Sequence, residues 1–512
     1  MKYLTPTLTL AACLSSQAGT DTWFTPLTES AAVVAPNALE ELSEPWVAPE
    51  GISQKNILSL REIEDSILSP TSSIIRAAGA GKSASMFDMI AYDPTGNFLF
   101  IPHETPWGAG VSRLNLYTCE NNILFQGNGL GAQGNWSADY GAFDPARFTP
   151  NGTVIAGEEW TAEGRIIEIM NPYAAPEDIV IRELDSIANV AHEGIGFSEK
   201  YNDTIYYVDE WNSGSIYKFV MATPGIYTTG QTFVLKIDAF AGVAADYYND
   251  PSNASATRVG AATWIPITDV TGNPLPGITD PFRNGPTNDP RSNSDTRGGR
   301  VAADDIGGTP FGRPEDIEIQ ILPNGNEVIY FTATSENRVY TIETMEETTS
   351  ARWKRVGRRW VWCPETTTRD KASVRVFVDA NDTPRNLGHA STTGVLNSPD
   401  NLAQDALGNI YIIEDAPNGS ATGGDIWFIR DLDNDGVAES IDHFLSIRVD
   451  GSEATGMVFN PFFAEEFAIC VQHPDSTDLA NVPNGLGDAI WMFNVTHVPN
   501  QNFVNQLRAA AE

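Results

Sequence analysis

The chain repeats a short β pattern whose ends are marked by acid. One unit reads His192-Glu193-Gly194-Ile195, then Asn202-Asp203, then Ile205-Tyr206-Tyr207-Val208-Asp209-Glu210, then Gly214-Ser215-Ile216-Tyr217-Lys218-Phe219. Another reads Pro399-Asp400-Asn401-Leu402, then Gly408-Asn409, then Ile410-Tyr411-Ile412-Ile413-Glu414-Asp415, then Gly424-Asp425-Ile426-Trp427-Phe428-Ile429. Each unit opens on an acid, turns at Gly or Asn, and returns through an alternating apolar strand that ends on acid. Period-two alternation marks strands, and Gly or Asn between two such runs marks a hairpin. Serial units of this size predict propeller blades.

The expected fold is all-β: a six-bladed β-propeller over residues 86–500, with an N-terminal extension at 20–85 and a C-terminal tail at 501–512. The blades read as 87–116, 140–170, 192–220, a fourth from 313, 397–430 and 453–495. The extension is rich in Pro, Ser and Ala, with one helix expected over 57–68 and capped by Asn56 or Ser59. Long insertions interrupt the array at 221–312 and 344–396. The first offers Trp264 and Phe282 as anchors. The second carries Arg352-Trp353-Lys354-Arg355 and Arg358-Arg359-Trp360, a rare basic patch. Such insertions serve as lids, binding loops or solvated ornaments.

There are 67 acids against 31 bases, a net charge of −36. That balance argues against nucleic acid or anionic membrane as partners, because phosphate binding needs a basic face. Residues 1–19 read as an export signal: Lys2, a short apolar run, and a small-x-small site at Ser16-Gln17-Ala18. Leu10-Ala11-Ala12-Cys13 also resembles a bacterial lipobox, which would make Cys13 a lipid anchor. The expected location is periplasmic, extracellular or on the outer surface, as a monomer. No later stretch approaches the ~20 apolar residues of a spanning helix. Cys119, Cys363 and Cys470 form neither a disulfide framework nor a zinc motif.

Strand direction turns the repeated acid into a site. A blade's first strand runs from one mouth of the propeller to the other, and its second runs back. The start of the first and the end of the second therefore share a mouth. The opening acids are Glu193, Glu315, Asp316, Asp400 and Glu453. The closing residues are Glu104, Glu158, Glu159, Asp209, Glu210, Glu414, Asp415 and His473. So many carboxylates cannot ionise together without cations or shared protons. Hard oxygen donors in this number suit Ca²⁺ first, with Mg²⁺, Mn²⁺ or Fe³⁺ as other fits. A second cation loop is read at Asp431-x-Asp433-x-Asp435-Gly436 with Asp442; a plain Asp/Gly hairpin turn is the alternative.

The same residues resemble the PhoX-type alkaline phosphatases. Arg313-Pro314-Glu315-Asp316, preceded by Gly307-Gly308-Thr309, is similar to that family's R-P-E-D motif. The segment Thr149-Pro150-Asn151-Gly152-Thr153-Val154-Ile155-Ala156-Gly157-Glu158-Glu159 resembles its T-P-W-G-T-W-L-T-C-E-E segment. His103-Glu104 with Gly110-Val111-Ser112-Arg113-Leu114, His192-Glu193-Gly194, Pro399-Asp400-Asn401, Thr455-Gly456 and Gln472-His473-Pro474 follow in the family's order. The resemblance spans about residues 87–475. It implies a six-bladed propeller, exported phosphomonoester hydrolysis, and a mixed iron and calcium cluster at the mouth. Two departures bear on the iron. Asp139-Tyr140-Gly141-Ala142-Phe143 stands where the family has a cysteine-bearing run, and Gly157 replaces the cysteine of T-C-E-E.

For an enzyme of this kind, Glu159, Glu193, Glu315 and Asp400 are the first-choice ligands. Arg313, Arg147 and Lys218 are candidates to hold the phosphate. His103, His192 and His473 are candidate acids, bases or ligands, or simply core histidines. The rival readings are a non-catalytic, calcium-stabilised surface propeller that binds a partner or glycan, and a calcium-only lactonase or phytase-like hydrolase.

Overall fold

The structure is a computed structural model. It describes residues 21–511 apart from 67–86, 161–163, 244–249, 283–297, 416, 418, 420, 476–481 and 483. The expected export signal and Cys13 lie outside the described residues.

Antiparallel sheets dominate, arranged as in a propeller. One sheet runs Ala91–Tyr92, Phe98–His103, Gly110–Asn115, Glu120–Gln126, and a second runs Phe143–Phe148, Val154–Glu158, Ile166–Ile169, Ile181–Glu183. The strands after Pro399–Gln404 and Glu453–Phe459 build two further sheets in the same order. Apolar side chains from adjacent sheets meet between them; Phe100, Val111, Phe143, Val154 and Ile167 form one such layer.

The N-terminal extension adds strands to the sheets. Trp46–Val47 pairs with Ser440–Ile447, and Ser53–Ser59 pairs with Ala489–Asn494 as an outermost strand. The helix begins at Leu60 and is described to Ser66. Ser59 caps it reciprocally: its hydroxyl accepts from the Glu62 N–H, and the Glu62 carboxylate accepts from the Ser59 N–H. Asn56 lies in the strand instead, donating to Leu58 and Ile490 carbonyls.

Both insertions are more ordered than their composition implied. Residues 221–312 contribute the strands Gly230–Ile237 and Gly260–Pro266 and the helix Gly298–Asp305. Residues 344–396 contribute Thr366–Asp379, which pairs with both Arg338–Thr349 and Gly260–Pro266. That pairing fuses the third and fourth expected blades into one nine-stranded sheet. Composition misleads here because Thr-rich strands look like loops when turn residues surround them.

Six innermost strands contact one another in a closed ring: Ala91–Tyr92, Phe143–Phe148, Ile195–Phe197, Pro314–Ile321, Pro399–Gln404 and Glu453–Phe459. Hydrogen bonds follow the ring. The Ala146 N–H donates to Met89 O (2.9 Å), Arg147 Nε to Ile195 O (3.0 Å), and the Gly194 N–H to Glu315 O (3.2 Å). The Leu402 N–H donates to Asp316 Oδ2 (3.0 Å), the Gly456 N–H to Asn401 Oδ1 (3.0 Å), and Thr455 Oγ1 to Phe87 O (2.9 Å). A Cβ at Gly194 would stand 2.6 Å from Glu315 O, so only glycine allows this backbone approach.

The ladder between first and second strands slips in four places, between Phe143 and Ala146, Pro314 and Ile317, Pro399 and Leu402, and Thr455 and Val458. Such bulges re-aim side chains and free backbone groups for other partners. Asp144, Glu315, Asp316 and Asp400 all lie within these slips.

Candidate active site

The bulged inner strands and the second-strand ends bring the acids together at one mouth. Carboxylate oxygens of Asp88, Glu104 and Asp144 lie within 4.8 Å of one another, and so do those of Glu193, Glu210 and Glu315. Glu159 links the two groups, interacting with Glu104 on one side and Glu210 on the other. Asp400 neighbours Glu315 and Asp415, and Glu453 neighbours Asp415.

Burial makes this assembly unstable as a set of bare anions. It pushes the carboxyls of Asp88 and Glu315 up to about 7 and Glu104 up to about 8. The same desolvation, reinforced by neighbouring carboxylates, raises Asp144, Glu159, Glu193, Asp400 and Glu453 well above the usual range. Asp88 Oδ1, Asp144 Oδ1, Asp400 Oδ1 and both Glu315 oxygens are buried and accept no hydrogen bond. Lone pairs left without donors in a buried carboxylate cluster are what a hard cation would fill.

Arg313 brings a guanidinium to this mouth. Its backbone is left-handed, φ +52°. That turn aims Nε at Glu210 Oε1 (2.6 Å) and Glu315 Oε1 (3.1 Å), with Nη1 3.4 Å from Asp415. About a third of the side chain stays exposed, so the head also faces the opening. His473 lies at the rim: Nδ1 is 3.0 Å from Gly451 O and must donate there, which turns Nε2 to Glu453 Oε1 at 3.1 Å. Gln472 donates to both Asp88 (3.0 Å) and Glu104 (2.7 Å).

Other candidates are taken up by partners of their own. Glu158 is clamped by Arg165 (2.6 Å) and accepts the Gly141 and Arg165 N–H groups. Glu414 accepts from the Asn397 and Asp425 N–H groups and from Trp427 Nε1. Asp209 is bound twice by Arg300, on the helix of the first insertion. Asp316 is taken up by Arg147 (3.0 Å) and the Leu402 N–H. Arg147, also paired with Glu318, is thus a tie between inner strands. Lys218 lies over the Phe233 and Trp264 rings and donates to Arg369 O (2.8 Å), outside the mouth. His103 and His192 are buried, and burial lowers both to about 3, which keeps them neutral.

The loop at Asp431 behaves mainly as a turn. Asp431 accepts the Asp435 and Gly436 N–H groups, and Asp435 accepts that of Val437. Oxygens of Asp431, Asp433 and Glu439 approach one another, but Asp435 is not among them. Asp442 is fully buried against Arg430 (2.8 Å).

Asp88 and Asp144 were not among the sequence candidates. Both open first strands, so the rule that selected Glu193 and Asp400 reaches them once it is applied to the first two blades.

A family model for alkaline phosphatase PhoX matches residues 103–475. The chain belongs to the PhoX alkaline phosphatase family. It is therefore an alkaline phosphatase-like phosphoester hydrolase. The solved structure of Pseudomonas fluorescens PhoX in complex with vanadate, a transition state analogue, is similar over 92% of this chain and 98% of that one, with 15% identity and a TM-score of 0.55. At that identity the likeness shows the shared propeller fold. A catalytically inactive virginiamycin B lyase from Staphylococcus aureus aligns at 12% identity over 86% of this chain and 99% of that one, TM-score 0.38. The gluconolactonase XC5397 from Xanthomonas campestris aligns at 10% identity over 93% and 98%, TM-score 0.36. No curated protein matches the chain.

The PhoX-like mouth here is built from oxygen donors. Gly157 packs against His192 and Pro145, where a Cβ would meet atoms at 2.7 and 3.1 Å. Cys470 is buried in the core, and burial raises its thiol well above the usual value, so it is no thiolate. Among the described residues no cysteine joins the carboxylate groups.

Proposed function

We propose that this chain hydrolyses phosphomonoesters outside the cell at a Ca²⁺ site in the acidic mouth of a six-bladed propeller. The carrying observation is the buried carboxylate cluster, whose orphaned oxygens have no hydrogen-bond donor. The ring of six inner strands supports the blade count. The signal-like residues 1–19 support export.

Asp88, Glu104 and Asp144 would hold one cation, and Glu193, Glu210 and Glu315 another, with Glu159 between the groups and Asp400 beside Glu315. Bound there, divalent cations supply charge neutralisation for phosphate oxygens and a lowered pKa for a water nucleophile. The chain's own residues do the rest. Arg313, about a third exposed, has a planar fork suited to two phosphate oxygens, and Glu210, Glu315 and Asp415 hold it in place. His473, its tautomer set by Gly451 O, can pass a proton between Nε2 and Glu453 at the rim. The all-oxygen donor set favours Ca²⁺; Fe³⁺, which the family resemblance implied beside a cysteine, finds no thiolate here.

The test is hydrolysis of p-nitrophenyl phosphate by the purified chain, with and without EDTA. Turnover that stops in EDTA and returns with Ca²⁺ supports the proposal. Bound calcium with no turnover on any phosphoester would instead favour the non-catalytic propeller.

A further inference from the structure

The second insertion projects as an arm. Thr344 and Ala372 are buried at its base, and from Glu346 to Trp362 the described side chains are all exposed. Arg338–Thr349 and Thr366–Asp379 form the stem, pairing out to Thr349 with Thr366. A separate two-stranded ribbon, Arg352–Val356 with Arg359–Cys363, forms the tip, turning at Gly357 with φ +62°. Glu346 is still held to the body by Tyr201 (2.9 Å), and the ten residues from there to Val356 span at most about 33 Å.

The tip has a composition unlike the rest of the chain. Residues 351–364 hold five Arg or Lys and no acid, in a protein of net charge −36. Trp353, Trp360 and Trp362 are 60%, 65% and 50% exposed. Trp353 stands opposite Trp362, with rings 5.3 Å apart, and Arg355 stands opposite Trp360. Strand alternation therefore gathers Trp353, Arg355, Trp360 and Trp362 on one face and Arg352, Lys354, Arg359 and Val361 on the other. An isolated two-stranded ribbon has no second layer in which to bury an aromatic face, and an exposed patch of this kind marks an interaction surface.

We propose that this tip docks the protein on an anionic lipid surface. Indole rings favour the bilayer interface, and each Lys or Arg adds attraction to anionic headgroups. The arm answers the objection that an acidic protein is repelled by such a surface. Screening at physiological salt acts over about 8 Å, far less than the arm's reach, so the tip engages while the acidic body stays clear.

The test uses the full calcium-loaded chain and sedimentation with vesicles of phosphatidylcholine, with and without about 30% phosphatidylglycerol, in about 0.1 M NaCl. Binding to the anionic vesicles should be at least about tenfold tighter than to the neutral ones and should weaken at high salt. Trp353→Ser/Trp360→Ser/Trp362→Ser, and separately Arg352→Gln/Lys354→Gln/Arg355→Gln, should each reduce it about tenfold or more, with melting temperature and phosphatase turnover unchanged. Equal binding to both vesicles, no binding, or binding that both variants retain would overturn the proposal. So would tip-dependent self-association without lipid, or tighter tip-dependent binding to single-stranded DNA.

Discussion

Nε of Arg313 lies 3.1 Å from Oε1 of Glu315, whose two oxygens are buried and accept no hydrogen bond. The two residues are separated only by Pro314, and the left-handed backbone at Arg313 turns the guanidinium back over its own strand. One short motif thus places a guanidinium and a buried carboxylate in the same opening.

Removing the fork should cost transition-state stabilisation more than folding. Arg313→Gln is expected to lower kcat/KM for p-nitrophenyl phosphate about 100-fold or more, the usual cost of deleting one electrostatic contact to the reacting group. Steady-state kinetics at saturating Ca²⁺ check this; a variant within a few-fold of wild type would remove Arg313 from the phosphate site.

Stripped of cations, the mouth should make stability fall with rising pH. Asp88, Glu104 and Glu315 have folded-state values of about 7, 8 and 7, above their unfolded values near 4. The folded state then binds more protons, so their contribution is fully present below about pH 4 and lost as pH rises through 7 to 8. Lys218, lowered to about 7 by burial, works in the opposite direction, as do His103 and His192 at lower pH. Comparing melts with and without Ca²⁺ cancels those terms. The gain in melting temperature from Ca²⁺ should be larger at pH 8 than at pH 6.5; a gain independent of pH contradicts the cluster.

Lys218 was a sequence candidate for phosphate, and its place over Phe233 and Trp264 removes it from the mouth. Lys218→Met should leave kcat/KM within about twofold of wild type. A large loss would require a contact with substrate that this placement does not give.

Arg147→Met should act on stability. It strips the charged partner from Asp316, which is almost fully buried and keeps only backbone donors. Breaking one side of a buried pair costs about 3–5 kcal/mol, and the partial exposure of Arg147 puts this case near the lower end. Urea unfolding at saturating Ca²⁺ measures it; an unchanged midpoint would show that the Leu402 and Ile317 N–H groups suffice to hold Asp316.

Much of this architecture was legible because its period is short. Alternating strands, turn residues and strand direction place Glu193, Glu210, Glu315 and Asp400 at one mouth without any coordinates. What one sequence hides is competition for each acid. Glu158, Glu414 and Asp209 obey the same positional rule as Glu104 and Glu210. Arg165, the N–H groups around Asn397 and Asp425, and Arg300 have already claimed them. Arg300 reaches Asp209 across 91 residues, a pairing no local pattern announces. The fused third and fourth blades were hidden for a similar reason, since the joining strands lie in segments whose composition reads as loop. The bulges that turn Asp144 and Asp400 into the mouth depend on partners in neighbouring strands, so register was legible only in part.

We propose that the mouth holds divalent cations on its carboxylates. Elemental analysis of the full chain, purified without chelator, tests it most directly alongside Glu315→Ala. Bound calcium is expected in the wild type, lost together with phosphatase turnover in the variant. A cation-free wild type that hydrolyses p-nitrophenyl phosphate in EDTA, or a Glu315→Ala protein with full calcium and full turnover, would contradict it.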